Sequence, residues 1–272
     1  MTTSTPSPDA EPSTGRPFAI VTGASSGIGL HLAKELRARG YDLVVSAENQ
    51  EIHDAADSLR EVGAQVWAVQ SDLATADGVE ELLTAVEETG RPVAVLCLNA
   101  GVGNAGPFIE TSLEDDLRLI ALNVAAPVNL AKQLLPDMVS RGQGRVLVTA
   151  SVAGVMPGPW YATYAASKSF LLSWAEAIRY ELRDRGVTVT ALMPGPTDTD
   201  FFDRAGMQDT EVDAMDKDQP EDVARDGIDA LLDGQDHVVA HSWRNKVQVA
   251  LGKDLPEPAK ARVHAAMTRE KN

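Results

Sequence analysis

Phe18-Ala19-Ile20-Val21-Thr22 runs directly into Gly23-Ala24-Ser25-Ser26-Gly27-Ile28-Gly29, and a segment of helical period follows to Arg39. The first five residues form an apolar run without alternation, the mark of a strand covered on both faces. The glycines then fall as G-x-x-x-G-x-G at a strand-to-helix junction. Such a turn is tight, lets backbone approach a pyrophosphate, and brings the N–H groups of a helix N-terminus to face that anion. A tight turn with no ligand would use the same residues. The lack of a G-x-x-x-x-G-K-[ST] pattern argues against an NTPase phosphate loop.

Outward from this junction the same alternation repeats. Strands are predicted at Phe18–Thr22, Asp42–Ser46, Gln65–Gln70, Val93–Leu98, Arg145–Ala150 and Val187–Met193, with a weaker one at His237–Ala240. Helices are predicted between them at Gly27–Arg39, Glu51–Val62, Gly78–Glu88, Leu113–Arg141, Tyr161–Arg185 and Pro220–Leu232. Gly40, Gly63, Gly90, Gly142 and Gly186 stand where helices should stop. Strand and helix in strict alternation specify an α/β, doubly wound parallel sheet with helices on both faces. No linker or internal repeat divides the pattern, so residues 17–240 read as one domain. Residues 1–16, rich in Ser, Thr and Pro, read as a disordered N-terminal tail. Residues 241–272 form a C-terminal extension of uncertain structure, with a polar helix candidate at Ala259–Arg269.

Composition narrows the function classes. The 272 residues carry 24 Lys+Arg against 40 Asp+Glu, a formal charge of −16, which disfavours nucleic-acid or anionic-membrane partners. No run approaches the roughly 18 apolar residues of a membrane span. The N-terminus lacks the basic and apolar regions of a secretory signal. A single cysteine, Cys97, within an apolar strand, reads as a buried thiol in an intracellular, cytoplasmic protein. His31, His53, His237, His241 and His264 form no ligand pattern, so no metal is expected.

Three polar positions stand out against this frame. Tyr164 and Lys168 are spaced i, i+4 in a helical segment and share a face. A free tyrosine has a pKa of about 10, too high for efficient acid–base work near neutrality, and a nearby ammonium would lower it. Ser151 follows a predicted strand, at the carboxyl edge where doubly wound sheets bind ligands. Taken alone, Tyr-x-x-x-Lys is a common surface pair and Ser151 a turn or N-cap residue.

Together, Thr22-Gly23-Ala24-Ser25-Ser26-Gly27-Ile28-Gly29, Asn99-Ala100-Gly101 and Tyr164-Ala165-Ala166-Ser167-Lys168 resemble the short-chain dehydrogenase/reductase family, over about Phe18 to Ala240. The order and spacing of the three motifs are highly specific. The resemblance implies a Rossmann-like sheet of about seven strands, a nicotinamide cofactor, and a homodimer or homotetramer. The long helices Leu113–Arg141 and Tyr161–Arg185 resemble those of the family's dimer interface. The resemblance also assigns roles. Tyr164 transfers a proton, Ser151 holds the substrate oxygen, Lys168 binds the cofactor ribose and lowers the tyrosine pKa, and Asn123 holds a water in a proton relay. Gly23, Ser25, Ser26, Gly27, Ile28 and Gly29 meet the pyrophosphate. Asp72 with Leu73 flanks the adenine, and Asp72 reads equally as an N-cap of the next helix. Asn99, Ala100 and Gly101 lie near the adenosine ribose. Pro194, Gly195 and Thr197 lie beside the nicotinamide, or form a plain proline-rich turn.

Glu48 lies 19 residues beyond Gly29, where an acidic residue can bond a ribose 2′-hydroxyl and repel a 2′-phosphate. Ser26 stands where NADP-preferring members often carry a basic residue. Both favour NAD over NADP, although NAD-preferring members usually place an Asp at the position of Ala47, and Glu48 reads equally as a solvated carboxylate. The segment Thr199–Asp218, with Phe201, Phe202 and Met207, and the segment Val155–Tyr161 are expected to shape an apolar pocket for a small-molecule carbonyl or alcohol substrate, or to pack as a lid or subunit contact. The reading is thus an NAD(P)-dependent oxidoreductase. The alternative is a non-catalytic dinucleotide-binding redox sensor or scaffold on the same fold.

Overall fold

A computed structural model of the chain describes residues 15–60, 63–201, 205 and 217–240. Seven strands, β1 (Phe18–Thr22), β2 (Asp42–Ala47), β3 (Val66–Gln70), β4 (Val93–Leu98), β5 (Gly144–Thr149), β6 (Val187–Met193) and β7 (His237–Val239), form one sheet in the order β3-β2-β1-β4-β5-β6-β7. Every pairing is parallel. The helices are α1 (Gly27–Ala38), α2 (Glu51–Arg60), α3 (Ala76–Glu88), α4 (Leu113–Ile120), α5 (Ala126–Arg141), α6 (Ala162–Leu182) and α7 (Pro220–Leu232). The predicted tail and extension lie outside the described residues, except that Gly15 and Arg16 are placed.

Two separate cores explain why the strands are continuous rather than alternating in hydrophobicity. On one face Leu32, Leu36, Ile52, Leu59, Val223, Ile228 and Leu231 pack from α1, α2 and α7. On the other Leu82, Val86, Leu130, Met138 and Leu171 pack from α3, α5 and α6. Successive strand side chains go to opposite cores, Ala19 and Val21 to the first, Phe18 and Ile20 to the second. The strand order reverses between β1 and β4, which opens a crevice at their carboxyl ends.

The segment Leu113–Arg141, expected as one helix, is interrupted. A π-helical turn at Ala121–Ala125 separates α4 from α5, with Ala126 N–H donating to Ala121 O, five residues back. The cause is in the sequence. Pro127 has no N–H to give to the carbonyl of Asn123 four residues earlier, so regular α-helical bonding cannot continue there. Tyr161, expected to open the following helix, instead precedes α6 with φ of −147°.

At the amino end of the sheet lies a buried charge cluster. The Asp42 side chain is fully buried and accepts from Arg91 Nη1 at 2.7 Å and from Gln65 N–H at 2.9 Å. Arg91 stands over the Phe18 ring at 5.0 Å and donates to Arg16 O at 2.6 Å.

Candidate active site

The glycine turn lies at the crevice and is held by contacts that exclude any larger residue. Gly23 has φ of +68°, and a Cβ there would lie 2.8 Å from Ala100 Cα. A Cβ on Gly29 would lie 2.0 Å from Gly23 O, a backbone atom that cannot yield. Thr22 Oγ1 accepts from Asn99 N–H at 2.9 Å and Ala100 N–H at 3.0 Å. Asn99 Nδ2 donates to Thr22 O at 3.1 Å, and its Oδ1 accepts from Thr149 Oγ1 at 3.1 Å. Asn99 thus ties β1, β4 and β5 together, and the backbone of α1's first turn faces the crevice.

Ser151 follows β5 and opens a single 3-10 turn, where its Oγ accepts from Ala153 N–H at 3.1 Å. The same hydroxyl reaches Pro194 O at 3.4 Å and lines the cleft with the Tyr164 phenol, whose pKa it pulls down. Ser151 is thus a turn residue that also lines the cleft. Tyr164 and Lys168, one turn apart on α6, are both buried, and Lys168 Nζ donates to Thr149 O at 2.9 Å and stands 5.7 Å from the Tyr164 ring centre. Burial pushes the Tyr164 phenol up to about 12, with the Ser151 hydroxyl pulling the other way, and pushes Lys168 down to about 8. Burial thus sets the direction of both shifts, with Lys168 one turn from the phenol it is expected to act on.

Asn123 sits in the π turn, fully buried, behind this group. Its Oδ1 accepts from Val102 N–H, and its Nδ2 donates to Val102 O, each at 2.9 Å. Nδ2 also reaches Ser167 Oγ at 3.1 Å. The Asn123 side chain is thus spent on the loop after β4 and on α6.

At the opposite end of the crevice Arg118 of α4 joins two carboxylates. Its Nη2 donates to Glu48 Oε2 at 2.5 Å and its Nη1 to Asp72 Oδ2 at 2.8 Å. Burial raises the Asp72 pKa, but the Arg118 guanidinium and the Ala74 N–H outweigh it and hold the carboxyl below its usual range. Asp72 is not the N-cap of α3, since Thr75 Oγ1 accepts from Gly78 N–H in that role. Asn49, beside Glu48 in the crevice wall, carries a buried side-chain oxygen with no hydrogen-bond partner.

Residues 17–210 match the sequence profile described as short chain dehydrogenase. The chain belongs to that family. A 1-deoxy-11-beta-hydroxypentalenate dehydrogenase of Streptomyces exfoliatus is 39% identical over 186 residues, 66% of this chain and 67% of that protein. A short-chain dehydrogenase from Sphingobium yanoikuyae, solved with NADPH, superposes with a TM-score of 0.77 at 29% identity, covering 89% of this chain and 97% of that one. A short chain dehydrogenase/reductase from Burkholderia phymatum, solved with NAD, gives a TM-score of 0.76 at 25% identity, covering 88% and 92%.

Within this short-chain dehydrogenase, Gly23, Ser25, Ser26, Gly27, Ile28, Gly29, Glu48, Asp72, Leu73, Asn99, Ala100, Gly101, Ser151, Tyr164, Lys168, Pro194, Gly195 and Thr197 line a single cleft, and Asn123 supports it from behind. Thr197 is buried and turned inward, its Oγ1 donating to Gly195 O at 3.0 Å. Of the expected pocket residues, Phe201 lines the cleft with its ring centre 5.3 Å from that of Tyr164, while Phe202 and Met207 lie outside the described residues. Sequence reasoning missed Arg118, Thr149 and Ser167. Arg118 and Thr149 act through partners remote in sequence, and Ser167, inside the Tyr164–Lys168 motif, meets Asn123 44 residues away.

Proposed function

We propose that the chain is an NAD(P)-dependent oxidoreductase that interconverts a carbonyl and a secondary alcohol, with Tyr164 as the acid–base group. The observation that carries this reading is the convergence of Ser151, Tyr164 and Lys168, the last two one helical turn apart, on the wall of the cleft that the glycine turn opens. The cleft suits a dinucleotide on its own evidence. The first turn of α1 offers N–H groups to a pyrophosphate, Gly29 leaves no room for a side chain between turn and helix, and the orphaned Asn49 oxygen awaits a donor such as a ribose hydroxyl. Gly23 to Gly29 would hold the pyrophosphate, Glu48, Asp72, Leu73, Asn99, Ala100 and Gly101 the adenosine half, and Lys168, Pro194, Gly195 and Thr197 the nicotinamide half. Bound there, the nicotinamide would supply or take up the hydride exchanged at the substrate carbon.

The chain's own groups manage the proton. In reduction, Ser151 donates a hydrogen bond to the substrate oxygen, and Tyr164 passes its phenolic proton to that oxygen as negative charge develops on it. A phenol held near 12 is still protonated at neutral pH, so the acid form is ready. Lys168, charged below pH 8, then stabilises the phenolate. Asn123 positions this group by clamping Val102 and Ser167.

The apolar wall formed by Tyr161, Val152 and Phe201 supports a hydrophobic carbonyl or alcohol as substrate. Exposed Leu117 and Ile120 on α4 and Phe170 on α6 support a homodimer or homotetramer, and the single buried Cys97 supports a cytoplasmic location. Parallel fluorescence titrations with NADH and NADPH, followed by turnover of hydrophobic ketones and of sugars, test the reading. Binding of at least one dinucleotide and faster reduction of the ketones are expected. Good turnover of sugars beside poor turnover of ketones would remove the apolar-pocket assignment. Binding without turnover of either class would favour a sensor or scaffold.

A further inference from the structure

Glu48 and Asp72 place two carboxylates at the adenosine end of the cleft. Among the described residues lining the cleft the cation is Lys168, which stands at the other end, beside Tyr164. Arg118 supplies the missing positive charge from α4, forking onto Glu48 and Asp72 through separate nitrogens. It is firmly based. On either side of it in α4, Leu119 is fully buried, and Asp116 accepts from Thr111 Oγ1 at 3.0 Å and Asn104 Nδ2 at 3.3 Å. Its two ion pairs differ in context. The Arg118 and Glu48 side chains are 41% and 50% exposed, so their pair is screened and costs little to open. Asp72 is fastened on its far side by Ala74 N–H and is the more fixed partner.

Glu48 therefore does not confront a ligand as a bare carboxylate. We infer that Arg118 is the specificity-determining residue for the ribose 2′ position, a function that rests on the dinucleotide reading above. With a 2′-hydroxyl, Arg118 stays on Glu48 and leaves that carboxylate free to accept from the hydroxyl with its second oxygen. With a 2′-phosphate, Arg118 keeps Asp72, releases Glu48 and pairs with the phosphate, for which a planar guanidinium is suited. The preference for NAD that Glu48 alone suggests is thereby reduced to a modest one, and the chain accepts both dinucleotides.

Affinities of the wild type, R118Q, R118K and E48Q for NADH and NADPH test this. Thermal shifts with 5′-AMP and with 2′-phosphorylated AMP give a readout free of the nicotinamide, and melting without ligand controls for folding. R118Q should weaken NADPH and the 2′-phosphorylated nucleotide by about tenfold or more, the scale of one lost charge-assisted hydrogen bond, and leave NADH and 5′-AMP within about threefold. R118K should recover part of the NADPH affinity, and E48Q should shift the ratio toward NADPH. An R118Q variant that weakens both dinucleotides equally, or neither, overturns the inference and leaves the dehydrogenase reading intact. A wild type that binds neither dinucleotide overturns both.

Discussion

Asp42, at the amino end of β2, and Lys168, beside the carboxyl end of β5, are both buried charges, and their surroundings differ in kind. Asp42 is met by the Arg91 guanidinium, by the Gln65 N–H and, at 3.8 Å, by Arg16. Lys168 is met by a neutral carbonyl, Thr149 O, and by the face of a neutral phenol, with no carboxylate partner among the described residues. At one end of the sheet charge is offset by charge. At the other it is left to depress its own pKa to about 8. A paired buried charge acts as a lock on the fold, whereas an unpaired one marks a place where protonation state is being held in reserve.

The largest effect that sharpens this contrast is at Tyr164. Y164F removes the proton donor and little of the ring's packing against Tyr161 and Phe201. Turnover should fall about 10²–10⁴-fold, the range for a positioned acid–base group, with dinucleotide affinity and melting temperature close to wild type. A variant retaining more than a tenth of wild-type kcat would remove Tyr164 from the proton transfer.

The opposite outcome belongs to the opposite end. D42A leaves Arg91, whose side chain is only 11% exposed, facing apolar rings without its carboxylate. Unfolding free energy should drop by roughly 3–5 kcal/mol, measured by denaturant titration. Dinucleotide affinity of the folded fraction should be unchanged, since Asp42 and the cleft stand at opposite ends of β2. A stability loss under 1 kcal/mol would show that Arg91 is adequately served by the Phe18 and Trp67 rings and the Arg16 carbonyl.

This division also sorts what could be read in the sequence from what could not. Phe18–Thr22, Val93–Leu98 and Val187–Met193 are legible to the residue because a doubly covered strand must be apolar throughout and glycine or a polar turn must end it. Gly23 and Gly29 are legible because the backbone geometry of the turn admits no other residue. The break at Asn123 had a written cause in Pro127, which the apolar periodicity of the long segment masked. Arg118 had no such signal. Its partners lie 70 and 46 residues away, and they meet only once α4 crosses the ends of β2 and β3. The upward shift at Tyr164 was hidden for a related reason. The i, i+4 spacing reveals a neighbouring lysine, whereas the desolvation that sets the direction of the shift is a property of the packed interior.

The unpaired charge at Lys168 also makes stability depend on pH. Lys168 has an ordinary pKa of 10.5 and a folded one of about 8, so between those values the unfolded chain holds a proton that the folded chain has released. Unfolding then takes up a proton, and stability rises with pH across that window. Below pH 8 both states are protonated, and the full cost of burying the ammonium, on the order of 3 kcal/mol, is present. K168M removes the titrating group and keeps the aliphatic stem. The stability of K168M minus that of the wild type should therefore be greatest at pH 7 and shrink steadily toward pH 10.5. Cys97, shifted upward in both proteins, cancels in this difference, and the Tyr164 phenol, held up to about 12, stays protonated in the folded state across the window. A difference that stays flat from pH 7 to 10.5 would mean that Lys168 meets a compensating negative charge when folded. The two ends of the sheet would then differ in their partners rather than in whether their charges are balanced.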